Sequence, residues 1–133
     1  MRILAIDYGE KRVGVAVSDP LGFTAQPVGT IGPNIEEIKK IIERYEEVSE
    51  IVVGLPKTMR GEIGPRAQKT LEFVDLLKKE INIPIVTWDE RLTTSDARRT
   101  LHEAGLNEKK QRKVIDQLAA VLILEGYLQR KNK

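Results

Sequence analysis

Three acidic positions, far apart in the chain, stand where a carboxylate is an expensive choice. Asp7 ends the apolar run Ile3-Leu4-Ala5-Ile6, Asp89 and Glu90 follow Ile85-Val86-Thr87-Trp88, and Asp116 precedes the apolar stretch Leu118 to Leu124. Removing a charge from water costs several kcal/mol unless a partner compensates it. A shared cation would do so for all three. Carboxylate oxygens are hard donors, and Mg²⁺ or Mn²⁺ is commonly held by one or two of them together with water and substrate phosphate. A pair of such ions can activate water and stabilise the leaving oxygen of an in-line phosphoryl displacement. The plain alternative keeps each acid local: Asp7 caps its own turn, Asp89 caps the next helix, and Asp116 pairs with a lysine.

These acids need elements that can bring them together. Residues 2–7 and 13–17 read as two buried strands joined by a tight turn at Gly9, which favours antiparallel pairing. Residues 24–31 supply a third strand, with Pro27 at an edge or bulge. Asn34 and Glu37 resemble a capping box, and Ile35, Ile38, Ile42, Tyr45 and Val48 give a helical stripe ending near residue 48. A strand from 50 to 55, a long loop from 56 to 65 and a helix begun by Pro65 follow. Pro84 to Trp88 forms a fifth strand, a helix is expected from about 95 to 104, and a last one from about 108 to 127 or beyond. Hairpin strands followed by strand–helix alternation predict an α/β fold, a mixed five-stranded sheet with helices on its faces. Asp7 and Asp89/Glu90 would then end parallel strands, where open α/β sheets collect ligands. Asp116, followed by Ala119 and Ala120, would point inward from a helix able to approach the sheet closely.

Bulk properties narrow the classes further. At 133 residues the chain fits one domain, 1–133. With 41% hydrophobic and 32% charged residues it has the balance of a globular protein. The absence of cysteine excludes disulfide scaffolds, thiolate zinc sites and cysteine nucleophiles, and suits a reducing compartment. Only four apolar residues precede Asp7, too few for a signal peptide, and no run reaches the roughly 20 residues of a membrane span. A cytoplasmic, non-membrane protein is expected. His102, the single histidine, reads as an ordinary polar-helix residue rather than a ligand.

The net charge of +2 does not announce nucleic acid, and the distribution of basic residues says more than the total. Lys11, Arg12, Lys57, Arg60, Arg66, Lys69 and Arg91 fall in segments that could surround the acids, and Lys109, Lys110, Arg112 and Lys113 form a separate cluster. Each could position a phosphate backbone or simply solvate its surface.

The motifs resemble a known family. Asp7-Tyr8-Gly9-Glu10-Lys11-Arg12-Val13-Gly14-Val15-Ala16-Val17-Ser18-Asp19 is similar to the first signature of the YqgF family, also called the RuvX-type Holliday junction resolvases. Val53-Gly54-Leu55-Pro56 with Gly61 and Gly64-Pro65-Arg66-Ala67 resembles the second, Asp89 to Thr94 the third, and Asp116 with Ala119-Ala120 and Leu122 the fourth. The resemblance implies an RNase H-like fold and a metal-dependent nuclease acting in 5′-end maturation of pre-16S rRNA, with branched DNA as the older substrate assignment. It places the acidic site on Asp7, on the Asp89-Glu90 pair and on Asp116, so that Asp7, Asp89, Glu90 and Asp116 are the expected metal set and Asp7, Glu90 and Asp116 the expected catalytic acids. Trp88 and Glu90 share one side of an extended strand and Asp89 the other, so Glu90 is the favoured member of the pair. The expected partner is structured precursor rRNA, or branched DNA, bound by a monomer or homodimer; junction resolution would need two active centres. Other readings are a nonenzymatic RNA-binding assembly factor and, from the Asp-x-Gly hairpin, a nucleotide site like that of actin-like ATPases.

Overall fold

The computed structural model describes residues 1–92 and 108–132, with side chains of the final helix described from Asp116 onward. Strands β1 (Arg2–Tyr8), β2 (Val13–Ser18) and β3 (Ala25–Ile31) come first. Helix α1 (Ile35–Tyr45), β4 (Val48–Leu55), α2 (Pro65–Glu80), β5 (Ile85–Asp89) and α3 (Glu108–Lys131) follow, with a short 3-10 turn at Glu90–Leu92. The described strands form one sheet in the order β3-β2-β1-β4-β5. β1 runs antiparallel to β2 and parallel to β4, which is parallel to β5. The expected mixed sheet is therefore present, and β1, β4 and β5 end at the same edge. The helix expected at 95–104 lies outside the described residues.

Strand alternation divides the core in two. Leu4, Ile6, Val13, Val15, Val17, Ile51 and Val53 face α1 and α2 and pack on Ile38, Phe73, Val74 and Leu77. Ile3, Ala5, Ala16, Val52 and Trp88 face the other way and meet Ala120, Ile123, Leu124 and Leu128 of α3. Small residues on this second face let α3 lie close. A Cβ built on Gly14 would come 1.9 Å from the Asp116 carbonyl oxygen, and one on Gly126 would meet the Trp88 ring at 3.1 Å. Trp88 is buried and packs edge-to-face on Tyr127, their ring centroids 6.0 Å apart.

Two sequence expectations shift. α1 ends at Tyr45 rather than near 48, because Glu46 and Glu47 adopt positive φ of 41° and 56° and turn the chain into β4. Val48 is thus a buried strand residue opposite Arg2, not the end of a helical stripe. Pro27 does sit on an edge strand, beside a register shift between Val15 and Ala16.

Candidate nuclease site

The site is built on the alternation of β1. Ile3 and Ala5 point toward α3, so Asp7, two residues on, points to the same side. Directly opposite Asp7 on β2 is Gly14, and the space a side chain would fill there is taken by the backbone of Asp116. On the other flank, β1 and β4 are paired up to Ile6 and Val53, which puts Gly54 beside Asp7 at the strand ends. A Cβ on Gly54 would meet Glu90 Cγ at 3.0 Å and Oε1 at 3.1 Å. Two glycines therefore flank Asp7, with Asp116 over one and Glu90 over the other. Glycine inside a strand commonly marks such close approach.

Asp89 leaves the sheet on the opposite side. It pairs with Leu55 across β4–β5 and engages Arg91: Nε donates to its Oδ1 and Oδ2 at 3.1 and 3.0 Å, and Nη2 donates to Oδ2 at 2.7 Å. The Arg91 backbone N–H also donates to Asp89 Oδ1 at 2.9 Å, so Asp89 caps the following 3-10 turn. The side-chain hydrogen bond from Arg91 holds the Asp89 carboxyl below its usual range. The Arg91 guanidinium also lies against Gly61, where a Cβ would come within 3.1 Å of Nη1. Gly61 has φ of +82°, and its N–H donates to the Thr58 carbonyl, while the Glu62 N–H donates to Thr58 Oγ1. The loop that follows β4 is thus internally bonded and leans on Arg91.

Asp116 has a strong local partner. Arg12 Nε donates to its Oδ2 at 2.7 Å, with about a third of the arginine side chain and a quarter of the aspartate exposed. Beside this pair opens a cleft of about 470 Å³ lined by Tyr8, Lys11, Arg12, Arg66, Lys69 and Asp116, among others. Tyr8 is fixed there by stacking on Phe73, centroid to centroid 4.4 Å. Lys69, one of the cations expected near the acids, joins it from α2 and pairs with Glu10. It lies at i, i+3 from Arg66 on one helix face. Gly14 and Gly54 were not singled out from sequence, though glycine inside an apolar strand was the available cue.

Of the other expected phosphate contacts, Lys57 and Arg60 belong to the loop between β4 and α2, and Arg91 is committed to Asp89. The side chains of Lys109, Lys110, Arg112 and Lys113 lie outside those described, as does His102. Among the described residues no three acids stand close enough to hold a metal ion by themselves. Asp116 is engaged by Arg12 and Asp89 by Arg91. The donor chemistry nevertheless fits a hard divalent ion that completes its shell with water and substrate oxygens rather than one needing a protein cage.

The mixed five-stranded sheet with helices on both faces defines an RNase H-like fold. The structure aligns over 99% of its length with 96% of Thermus thermophilus RuvC, solved with a Holliday junction substrate, at a TM-score of 0.61 and 14% identity. It aligns over 98% of its length with 99% of the fowlpox virus Holliday junction resolvase, at 0.55 and 13%. Residues 1–130 match the family described as RuvX, Holliday junction resolvase, and the chain belongs to that family. A Clostridium botulinum relative is 51% identical, with all of both chains covered, and a Halothermothrix orenii relative is 50% identical over all of this chain and 98% of its own. Both carry the name "Putative pre-16S rRNA nuclease".

Proposed function

We propose that this protein is a divalent-metal-dependent endonuclease that trims the 5′ end of pre-16S rRNA in the cytoplasm, with residues 1–133 acting as one nuclease domain. The observation that carries the catalytic reading is Asp7 set between Gly14 and Gly54, with Asp116 and Glu90 lying over those glycines. The full-length likeness to relatives named for pre-16S rRNA supports the substrate. Asp7, Glu90 and Asp116 would hold Mg²⁺ or Mn²⁺. Such an ion would supply polarisation of a phosphoryl oxygen and activation of water.

The chain's own contribution is positioning. Lys11, Arg12, Arg66 and Lys69 offer cations on both walls of the cleft, against the carboxylates of Glu10 and Asp116, and so favour a phosphodiester backbone. Tyr8, held against Phe73, gives the cleft an aromatic wall on which a splayed base can stack. None of these contacts reads a base edge, so RNA structure rather than sequence would select the cleavage position. The nonspecific character of the cleft also keeps branched DNA within reach, in line with the family description.

The test is cleavage of a pre-16S 5′-leader transcript, with a four-way DNA junction in parallel, by wild type, Asp7→Asn and Asp116→Asn in Mg²⁺ or Mn²⁺. Metal-dependent trimming of the transcript that both variants lose is the expected result. Equal activity in wild type and both variants would overturn the assignment, and cleavage of the junction alone would move the substrate to DNA.

A further inference from the structure

We infer that Arg12 is an internal counter-ion that competes with the divalent metal for Asp116 and, once displaced, becomes a phosphate ligand in the adjoining cleft. The inference rests on the nuclease reading of the site. Three observations carry it. Arg12 Nε meets Asp116 Oδ2 at 2.7 Å, the position a cation would claim. The same arginine lines the cleft with Lys11, Arg66 and Lys69, so a change of rotamer would keep it within the basic wall. The Asp116 backbone is seated on Gly14, so the helix holds this residue at the mouth of the cleft.

The pair is partly solvated, with 36% of the arginine side chain exposed. Screened ion pairs of this kind are weak enough for a divalent ion to displace. A guanidinium also matches phosphate oxygens as well as it matches a carboxylate. Metal and nucleic acid would therefore bind cooperatively. The ion releases Arg12 toward phosphate, phosphate draws Arg12 off Asp116, and thermodynamic linkage makes the two effects equal.

The experiment measures Mn²⁺ affinity by counting free ion in paramagnetic resonance, on RNA-free protein and again with 2′-O-methylated, cleavage-resistant RNA. Arg12→Gln is expected to bind Mn²⁺ about two- to fivefold more tightly than wild type without RNA, the range set by a partly exposed pair. It should also lose most of the tightening that RNA produces in wild type. Arg12→Lys, which keeps the charge but not the planar contact, should fall between them and serves if Arg12→Gln folds poorly by circular dichroism. Unchanged or weaker Mn²⁺ binding in a folded Arg12 variant would overturn the inference. Equal Mn²⁺ binding by wild type and Asp116→Asn would instead remove the metal site itself, which is a different failure.

Discussion

The carboxylates of Asp89 and Glu90 leave the end of β5 on opposite sides of the sheet, so Asp89→Asn and Glu90→Gln test two different structures. Glu90 lies over Gly54 beside Asp7, whereas Asp89 clasps Arg91 against the Gly61 turn. Glu90→Gln should lower RNA cleavage on the order of 10²–10³-fold, the size of loss seen when one preorganised electrostatic group is removed. Asp89→Asn should leave Mn²⁺ affinity near wild type while amides of residues 57–64 exchange faster with deuterium. The reverse pattern would make Asp89 the ligand. Because the Asp89 carboxyl is held below its ordinary 3.8, its clasp contributes stability above that pH and loses it as pH falls further. At neutral pH the loop support is intact. Residue types at the site were legible in the sequence because acids after apolar runs are conspicuous. Which acid took which arginine was not, since Arg12 and Asp116 are 104 residues apart and their pairing depends on side-chain geometry.

At the scale of elements, the site depends on how closely α3 approaches the sheet, and two glycines set that distance. In Gly14→Ala the new methyl would meet the Asp116 carbonyl, which is backbone and cannot step aside. A loss of about 1–3 kcal/mol in denaturant unfolding is expected, together with loss of cleavage. Gly54→Ala would press instead on Ile123 Cδ1 and the Glu90 side chain, which can turn away. Its stability should fall less and its activity as much, so comparison of the two variants separates packing from placement of the acid. Farther along α3, the Tyr127 hydroxyl donates to Glu50 on β4, and burial, reinforced by that carboxylate, pushes its pKa to about 12. The unfolded chain would ionise this phenol near 10, so the stabilisation is complete below about pH 10 and disappears as pH rises toward 12. Absorbance titration of the tyrosines alongside thermal melts would show it. The succession of strands and helices and the first hairpin were readable from period and turn residues, but the end of α1 was not. Val48 continues the helical spacing from Tyr45, and positive φ at two successive glutamates is a conformation their types do not advertise.

For the whole molecule, charge placement matters more than its total. A net charge of +2 would steer nothing strongly, yet four cations gather on one cleft at the end of the sheet. RNA affinity should accordingly fall with salt at a log–log slope of about −2 to −3, as for three or four single-strand phosphate contacts. A slope near zero would place binding elsewhere. Trp88 has a consequence of a different kind. It is the sole tryptophan, buried between the sheet and Gly126 of α3 and two residues before Glu90. The protein thus carries one native fluorophore at the junction whose closeness determines whether the acids meet. Its emission colour offers a label-free optical gauge of helix docking in every titration of ion or nucleic acid.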